Sequence, residues 1–469
     1  MDSTLSLRTR LSLQDRDQLA QQVRGPVLLP DDEGYAQECA VFNLATALSP
    51  SIVVGATSAA DVQAAVAVAA RLGLPVAVKS TGHQVVTPAH GSLLITTHRM
   101  NAVAVDAGRR TARVAAGAVW QQVIDQAVPL GLAPVSGSMP GVGVVGYTLG
   151  GGLSPVFGRS HGYAADQVLA LEIVTADGEL RRVTPESDAE LFRSVLGCKG
   201  NFGVVTALEF ALVPQNRFYG GCLLFPGDNL ADIVHLWREW IAAAPEEMSS
   251  SLAVQRFPDI PEVPEPLRGA FVTAVRIGYT GSAEEGERLV APLRAVAPVL
   301  ADGVEELSYA AAAAIHRDPD TPFPYHDRTL SLASFPAEAA DAFVTATGPG
   351  SDCPLVSAEI RALGGALSRP PAVDNVVPGR GAAFLVFAGG VGGADTAPVM
   401  RAALSGLADA LEPWADPRTD ANFLSPEQID GPDAIERWYG PENHARLVAA
   451  KKVWDPTNMF RDNYNIAPS

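Results

Sequence analysis

Apolar residues recur along this chain with a helical or a strand-like spacing, and the spacing indicates which segments form each element. In the N-terminal part, Ser58 caps one predicted helix and Gly73 ends it. Short apolar runs that stop at Gly, Pro or polar residues predict strands. In chain order we predict helices over about 12–23 and 61–71, strands Val76–Lys79, Leu93–Thr96, Val103–Asp106 and 112–115, and a helix over 120–130.

The next stretch predicts a β-hairpin, a helix and a further strand before Pro214, which marks the end of this part of the chain. The dipeptide Asp177-Gly178 favours the tight turn of a hairpin. A glycine-bounded loop, residues 197–203, leads into the last strand and suggests a ligand-contacting edge. The predicted elements are the strands 169–175 and 179–183, a capped helix over 187–196, and the strand 204–212.

From about residue 215 to 413 the pattern changes to longer strand-like runs that alternate with amphipathic helices. This alternation predicts an α+β domain with a largely antiparallel sheet and helices on one face. The predicted strands are 221–225, 250–256, Phe271–Tyr279, 355–363 and 382–388, and the helices are 230–244, Ala283–Ala295, 337–345 and Ala397–Leu411. After this domain, motif-rich sequence resumes with a helix over 440–453 and a polar, aromatic segment to residue 466.

Composition narrows the class of protein. A chain of 469 residues with 47% hydrophobic and 18% charged residues fits a folded enzyme of two or three domains. Its formal net charge of −18 disfavours nucleic acid and anionic membranes as partners. No apolar run predicts a membrane span, and the N-terminus lacks the apolar core of a signal peptide, so we expect a cytoplasmic location. The four cysteines form no CxxC pair, so we expect neither a metal site nor a disulfide framework.

The first candidate site is the turn Val78-Lys79-Ser80-Thr81-Gly82-His83-Gln84, which follows a predicted strand. Backbone N–H groups in a turn of Ser, Thr and Gly suit phosphate, because Gly allows close approach of a ligand. His83 lies at the tip of this turn. From these residues alone it is either an ordinary loop histidine or a reactive group beside a phosphate-bearing cofactor.

The second candidate is the glycine-dense stretch over residues 137–152. It contains a formal GxGxxG at Gly141, Gly143 and Gly146, with Asp166 further on, as in dinucleotide-binding proteins. Pro140 stands where a buried strand is required, and the glycines from Gly150 onward would break the helix that this motif must open. We therefore interpret the stretch as a wall of backbone lying flat against a large planar ligand.

Two further patterns carry weaker signals. Gly158-Arg159-Ser160-His161-Gly162 matches GxSxG, but its flanks do not have the strand and helix of a nucleophile elbow. The triplet His316-Arg317-Asp318 is either catalytic or, as we favour, part of a surface loop.

Four segments in this order resemble the berberine-bridge-enzyme-like oxidases, which have the FAD-binding fold of vanillyl-alcohol oxidase, also called the PCMH type. The segments are the turn at Gly82-His83, residues 140–152, residues 200–206, and Phe460-Arg461-Asp462-Asn463-Tyr464-Asn465-Ile466. The resemblance covers roughly residues 28–214 and 416–469. It implies an α+β protein whose FAD-binding domain is built from both chain ends (1–214 and 416–469), with an inserted substrate domain over 215–415.

The resemblance also implies roles for individual residues. His83 would carry FAD covalently, since a neutral imidazole can attack the flavin 8α-methyl carbon. The other cofactor-binding residues implied are Lys79, Ser80, Thr81, Gly82, Gln84, Met139, Pro140, Gly141, Val142, Gly143, Gly146, Tyr147, Gly150, Gly151, Gly152, Val205, Asn463 and Asn465. The implied catalytic residues are Asp420, Asn422 and Tyr464.

This chain departs from the family at three positions. Met139 occupies the place where many relatives have a cysteine that forms a second bond to the flavin, so we predict a single link through His83. Leu153 stands where a tyrosine often follows the three glycines. Asp420 replaces the tyrosine that often serves as the active-site base, two residues before Asn422. A carboxylate there could accept a proton if burial raises its pKa, or could bind a substrate amine.

The predicted function is an FAD-dependent oxidase that passes substrate hydride to a His-linked flavin, which O2 reoxidises. The substrate is expected to be a small molecule of specialised metabolism. It is expected to be bulkier than a simple sugar alcohol, and aromatic or amine-bearing. Two alternatives stay open from the sequence: a flavin-binding homologue that catalyses a cyclisation without net redox change, and an NAD-linked Rossmann dehydrogenase.

Overall fold

Three sheets organise the computed structural model, which describes residues 12–261, 263–429 and 431–468. The first sheet has four strands in the order β1 (Val27–Leu28), β2 (Ile52–Gly55), β4 (Leu93–Thr96) and β3 (Val76–Lys79). β2, β4 and β3 are parallel, while β1 is antiparallel to β2. Because β3 is an edge strand, the Ser80–Gln84 turn leaves the sheet at its margin.

The second sheet is antiparallel and five-stranded. Its order is β5 (Val103–Asp106), β6 (Thr111–Ala115), β9 (Val204–Ala211), β7 (Val168–Val174) and β8 (Leu180–Val183). The helix Ala59–Leu72 contacts both this sheet and the first one. Buried Val62, Val66, Val174 and Val204 form one apolar cluster with Phe460 of the tail. The two sheets therefore belong to one body that includes the C-terminus.

The third sheet is larger and contains nine antiparallel strands. They are β10 (Arg217–Pro226), β11 (Met248–Arg256), β12 (Phe271–Tyr279), β13 (Ala301–Asp302), β14 (Glu305–Ser308), β15 (Tyr325–Leu332), β16 (Ser357–Ala362), β17 (Phe384–Val391) and β18 (Ala415–Asp416). The order is β13-β10-β12-β11-β16-β17-β15-β18, with β14 also paired to β10. Trp237, Phe343 and Leu404 of three helices bury their side chains against this sheet in a single core.

The α-helices of the described residues are α1 (Leu13–Ala20), α2 (Tyr35–Glu38), α3 (Ala59–Leu72), α4 (Trp120–Ala127), α5 (Val144–Leu149), α6 (Gly158–His161), α7 (Ala189–Val195), α8 (Leu230–Ala243), α9 (Ala283–Ala295), α10 (Ala337–Thr347), α11 (Ala397–Leu411), α12 (Pro432–Tyr439) and α13 (Pro441–Trp454). Within this part of the chain, none of them has the length and apolar character of a membrane-crossing segment.

The C-terminal segment is tied to the N-terminal domain by buried polar groups. Lys451 and Asp455 are fully buried, and their Nζ and Oδ2 atoms are 2.8 Å apart. Lys451 Nζ also donates to the carbonyls of Asn201 and Phe460, at 2.6 and 3.2 Å. The Asn201 side chain donates to Tyr464 O and accepts from Ile466 N. The tail is thereby held beside the loop that precedes β9.

The predicted fold class is confirmed: an α+β protein with two sheets formed by residues 27–211 and a large antiparallel sheet formed by residues 217–416. The strand Phe271–Tyr279 and the helices Ala283–Ala295 and Ala397–Leu411 have the predicted bounds. The predicted boundaries at 214 and 415 stay predictions, although β18 (Ala415–Asp416) pairs with β15 of the third sheet.

Several local predictions were wrong. The helix predicted from residue 187 begins at Ala189, because Asp188, not Ser187, accepts the capping bond from Leu191 N. Strand β15 was missed, because its residues, from Tyr325 onward, include charged and polar side chains on both faces. The glycine-dense stretch is not flat throughout, since α5 forms within it and ends at Gly150. Ser160 of the GxSxG match lies on the short helix α6, and no strand directly precedes it.

Candidate active site

The turn after β3 has the backbone form that its glycine predicts. Gly82 has a φ of +74°, a conformation that L side chains rarely adopt. A Cβ at Gly82 would lie 3.1 Å from Val41 Cα and 3.2 Å from Ala40 O. The carbonyl of Gly82 accepts a hydrogen bond from Phe42 N at 3.0 Å. The segment around residue 41 therefore closes on the turn from one side.

His83 is held by three neighbours. Its ring stacks on Phe42, with centroids 4.4 Å apart and planes inclined by 15°. Its Nδ1 lies 3.0 Å from Thr81 Oγ1, and its Nε2 lies 3.1 Å from Met139 Sδ. Burial lowers the pKa of His83 to about 4, and the charge of Asp318 offsets only part of this effect. At neutral pH the imidazole is uncharged, so it keeps a nucleophilic lone pair.

The glycine-dense stretch packs against this turn. A Cβ at Gly143 would lie 3.1 Å from Ser80 Oγ and 3.6 Å from Thr81 Oγ1. In contrast, a Cβ at Gly146 would meet no atom within 4 Å, and one at Gly141 would meet only Met139 Cε, at 3.7 Å. One side of the stretch thus contacts the turn, while the exposed side, at Gly141 and Gly146, offers a smooth surface to a ligand.

Other parts of the stretch have structural partners. The carbonyls of Pro140 and Val142 accept from the N–H groups of Gln121 and Trp120, at the N-terminal end of α4. Gly151 and Gly152 have positive φ values of 115° and 85°. A Cβ at Gly152 would collide with the Tyr147 ring, at 2.5 Å.

Gln84 connects the turn to the C-terminal segment. Its Nε2 donates to the carbonyls of Ala421 and Leu424 and to the hydroxyl of Tyr464, at 2.9, 3.0 and 2.9 Å. The Tyr464 hydroxyl donates in turn to Leu424 O at 2.6 Å. Burial raises the pKa of Tyr464 well above its ordinary value. The structure therefore places Tyr464 as a buried hydroxyl whose proton is engaged by a carbonyl.

Asp420 and Asn422 lie at the end of the glycine stretch, together with Lys199. Asn422 Nδ2 donates to Tyr147 O at 2.8 Å, and its Oδ1 accepts a hydrogen bond from Lys199 Nζ. Asp420 Oδ1 accepts from Asn422 N at 2.8 Å. A Cβ at Gly150 would collide with Asn422 and Lys199, so glycine is required for this close approach.

Burial perturbs both ionisable groups of this cluster. It raises the pKa of Asp420 to about 6, although the Asn422 N–H and the charges of Lys199 and Arg361 favour the carboxylate. It lowers the pKa of Lys199 to about 8, although the charge of Asp420 opposes the shift. Asp420 is therefore able to exchange a proton near neutral pH, as a general base must.

Four buried polar atoms along these segments have no hydrogen-bond partner among the described residues: Ser80 Oγ, Tyr147 OH, Asn463 Oδ1 and Asn465 Oδ1. Buried polar groups are rarely left unpaired, so an unpaired set indicates a missing polar ligand. The turn, the smooth side of the glycine stretch and the tail supply these atoms. The residues present thus fit a large ligand with many polar atoms, such as FAD.

The structure brings most of the predicted residues together. His83, Thr81 and Met139 are in contact, as are Asn422 and Tyr147, while Gln84 reaches the segment after Asp420. Lys79 donates to Ala40 O at 2.8 Å. Val205 is buried in β9 opposite Ile173, so its side chain is part of the core.

Sequence reasoning missed Phe42 and Lys199. Phe42 lies in a segment interpreted as irregular chain, and no local pattern indicated its stacking on His83. Lys199 has a positive φ of 56° within the loop predicted as a ligand-contacting edge. Its position between two glycines, near Asn201, was the signal that could have singled it out.

His316 was placed on a surface loop by the favoured interpretation, and this was wrong for that residue. It is 7% exposed, and its Nε2 lies 3.2 Å from Glu359 Oε1. The packing of the seven-residue 3-10 segment Tyr309–Ile315 under the large sheet carries His316 inward.

Comparison with known proteins shows which families the segments of the candidate site match. Residues 50–184 match the family described as FAD binding domain, and residues 421–467 match the family described as berberine and berberine-like. The first match contains the His83 turn and the glycine stretch, and the second contains Asn422 and Tyr464. The predicted resemblance is confirmed: the chain contains an FAD binding domain and a berberine-like segment, and its relatives are FAD-linked oxidases.

Relatives of this oxidase cover almost its whole length. It is 28% identical to (R)-6-hydroxynicotine oxidase of Paenarthrobacter nicotinovorans, over 95% of this chain and 97% of that protein. The crystal structure of 6-hydroxy-D-nicotine oxidase from Arthrobacter nicotinovorans matches with a TM-score of 0.81 and 25% identity, covering 95% of this chain and 98% of that one.

A glucooligosaccharide oxidase from Acremonium strictum shares the fold, with a TM-score of 0.82 and 19% identity over 97% of this chain and 99% of that chain. Its structure is described as having 6-S-cysteinyl, 8α-N1-histidyl FAD. The predictions of an FAD-linked oxidoreductase and of this family are confirmed. The comparisons give no support to the cyclisation or NAD-linked alternatives.

Proposed function

We propose that this oxidase acts on a small amine- or hydroxyl-bearing metabolite, with its FAD attached covalently through His83 alone and with O2 as the electron acceptor. The observation that carries this proposal is the uncharged imidazole of His83, confined between Phe42 and Met139 at the tip of a glycine turn. When bound, FAD accepts the two electrons removed from the substrate and delivers them to O2.

The neighbours of His83 support a single covalent link. Its neutral nitrogen can act as a nucleophile, whereas protonation would remove the lone pair. The group nearest to its Nε2 is the Met139 thioether, which has no proton to lose and forms no thiolate. A second, cysteinyl link at this position would require a thiol that Met139 lacks.

The remaining residues would position the cofactor. Ser80, Thr81 and Gly82 provide the turn for the pyrophosphate, and Gly141 and Gly146 provide the surface that a side chain would block. Tyr147 OH, Asn463 Oδ1 and Asn465 Oδ1 are the unpaired polar atoms available to hold its polar edges. Gln84 keeps the turn and the C-terminal segment at a fixed separation.

Asp420 is the proposed proton acceptor. Its carboxylate is buried, its pKa is raised to about 6, and Lys199 and Arg361 provide positive charge nearby. Lys199 also fixes Asn422, which links this cluster to the carbonyl of Tyr147. Tyr464 is a weaker candidate, because its hydroxyl proton already binds Leu424 O.

The substrate class follows from Asp420 and from the nicotine-related relatives. A buried carboxylate suits an amine, either as a counter-ion or as the base that removes its proton. The similarity to (R)-6-hydroxynicotine oxidase extends over 95% of the chain. We therefore expect amine-bearing aromatic metabolites, rather than simple sugars, to reduce this oxidase.

The test is anaerobic reduction of the flavin, followed in a stopped-flow instrument with a panel of cyclic amines, benzylic alcohols and oligosaccharides. We expect an amine to bleach the flavin, oxygen to restore it, and the product to be two hydrogens lighter. Asp420→Asn should slow reduction by about 100-fold or more, and Asp433→Asn, outside the site, should not. An unchanged rate in Asp420→Asn would remove that residue from the mechanism.

If no panel member reduces the flavin, but a compound is converted to a product of unchanged mass, the oxidase proposal fails and a non-redox conversion is established. Oxidation of oligosaccharides alone would retain the oxidase and overturn the substrate class.

A further inference from the structure

A cavity lies between the large sheet and the segment that follows the glycine stretch, beside Leu153. It measures about 30 Å³ and is lined by residues including Arg159, Arg276, His316 and Arg361. A cavity of this size holds only two or three waters, since each water needs ~10–15 Å³ of cavity volume. Of these four residues, only Arg361 was mentioned in the candidate site, as a positive charge near Asp420.

Four nitrogen atoms around this cavity are buried without a hydrogen-bond partner among the described residues. They are the Nε atoms of Arg159, Arg276 and Arg361 and the Nδ1 atom of His316. Arg276 and His316 are themselves 5% and 7% exposed. An unpaired buried donor on a charged group is costly, and three guanidinium groups share this environment. The missing partner must therefore supply acceptors.

The positive and negative charges of the buried side chains around this cavity also do not balance. Glu359 accepts from Arg276 and Arg361, with N–O distances of 2.7 and 2.8 Å, and from Ser251 Oγ at 2.5 Å. These two arginines hold the pKa of Glu359 well below its ordinary value, so it is a carboxylate. Burial and the charge of Arg276 lower the pKa of His316, so its imidazole is neutral.

Three guanidinium groups, those of Arg159, Arg276 and Arg361, line the cavity. Two carboxylates face them, Glu359 and, near Arg361, Asp420, so the buried cluster carries one excess positive charge. Asp318 affects Arg276 electrostatically, but its carboxylate is bonded to Ser138 Oγ, outside the cavity. Buried charges in proteins are normally paired. A small anion would neutralise the cluster and accept from its unpaired donors.

We propose that this cavity binds one small monovalent anion of the carboxylate or halide class, between the unpaired Nε atoms of Arg276 and Arg361. Charge-assisted N–H bonds to such an anion are about twice as strong as neutral ones. Because Arg361 also lies over the ring of Phe423, at 4.8 Å, the anion site adjoins the loop that carries Asn422. The anion is either a free ion or the carboxylate of the substrate itself.

Bromide and formate are the probes, used with the flavin-loaded full-length protein at constant ionic strength. We expect each to raise the melting temperature in a saturable manner, and crystals soaked in bromide to show an anomalous peak between Arg276 and Arg361. No peak and no saturable shift would overturn the proposal and indicate that the cavity holds water.

Variants separate this site from general salt effects. Arg361→Met leaves Glu359 paired with Arg276 and removes the excess charge, so we expect bromide affinity to fall at least tenfold. Arg401→Met makes the same change in net charge at an exposed ion pair with Glu427 and should bind bromide normally. If Arg361→Met is unstable, Arg159→Met removes another unpaired Nε donor and one positive charge and should weaken bromide binding several-fold. Equal bromide binding in all these proteins would overturn the proposal.

The two sources of the anion are distinguished by steady-state kinetics. Formate that raises the substrate KM without changing kcat indicates that the substrate places its own carboxylate in the cavity. Formate binding without any change in KM indicates a free anion. Flavin content and reduction are measured separately, so failure of the oxidase proposal would leave the bromide result interpretable.

Discussion

His83 Nε2 lies 3.1 Å from the sulfur of Met139, and this contact joins the turn after β3 to the glycine stretch. The pair combines an uncharged nucleophile with a neighbour that cannot ionise. Under the proposed function, His83 forms the covalent bond to FAD, and Met139 has no thiol to form a second one.

The first prediction concerns the covalent link. Acid-precipitated wild-type protein should retain its flavin in the pellet, and tryptic digestion should yield one flavin-bearing peptide that contains His83. His83→Ala should release all flavin into the supernatant, because Met139, the neighbour of His83 Nε2, has no thiol that could form the bond instead. Met139→Leu is the matched control and should retain the link. Complete release from the wild type would contradict a covalent anchor.

The second prediction uses the open surface of the glycine stretch. Gly146→Ala should stabilise helix α5 by about 0.5–1 kcal/mol, because Ala restricts the unfolded chain, yet it should lower the flavin-to-protein absorbance ratio. Its methyl group meets no protein atom and would occupy the ligand face.

Gly143→Ala provides the contrast. Its methyl group would meet Ser80 Oγ at 3.1 Å and should cost about 1–3 kcal/mol of folding free energy. Thermal unfolding of both variants without flavin, together with absorbance of the purified proteins, distinguishes the two effects. Normal flavin content in Gly146→Ala would show that the cofactor lies elsewhere.

The third prediction concerns the pH dependence of stability. The folded-state pKa of Asp420, about 6, lies above its ordinary value of 3.8, so the native protein binds this proton more tightly than the unfolded chain. The stabilising contribution is fully present below about pH 4 and is lost as the pH rises through about 6.

Asp420→Asn has no proton to lose, so its stability relative to wild type should increase from pH 4 to 6 and then remain constant. The gain at pH 7 should be about 1–3 kcal/mol. Urea unfolding at a series of pH values measures it, and Asp433→Asn serves as a control. A difference that does not vary with pH would show that the Asp420 pKa is unshifted.

The fourth prediction concerns the attachment of the tail. Lys451→Met should destabilise the protein by about 3–5 kcal/mol, because it leaves the fully buried Asp455 carboxylate without its cation. Lys452→Met, at the exposed neighbouring position, should change stability by less than about 0.5 kcal/mol. Urea unfolding monitored by tryptophan fluorescence compares the two. Equal stabilities would mean that the buried pair contributes little to holding the tail.

Much of the local structure could be predicted because it depends on neighbouring residues. Ser58 caps α3 through its hydroxyl and Gly73 ends it, as these residue types predict. Asp177-Gly178 forms the hairpin turn. In contrast, β15 was missed because its pairing with β17 and β18 compensates for a sequence without clear alternation. Propensity is a weak signal where tertiary contacts dominate.

The candidate site likewise has features that could be predicted from the sequence and features that could not. The turn at His83, the glycine stretch and the tail could be recognised as segments, because glycine and proline determine the local backbone conformation. Their mutual positions could not, since the bonds from Gln84 to residues near position 421 join segments more than 300 residues apart. Lys199 and Phe42 became evident only from their contacts in the folded protein, with Asn422 and His83 respectively.

By itself, the sequence indicated the family and the candidate cofactor-binding segments, and it showed the departures at Met139, Leu153 and Asp420. Only the tertiary structure decided what each of those side chains contacts and how the buried ionisable groups are charged. The shifted pKa of Asp420, the neutral imidazole of His83 and the excess charge near Glu359 all arise from burial among residues distant in the chain. Periodicity and turn chemistry are local properties, whereas desolvation and charge pairing depend on the packed interior.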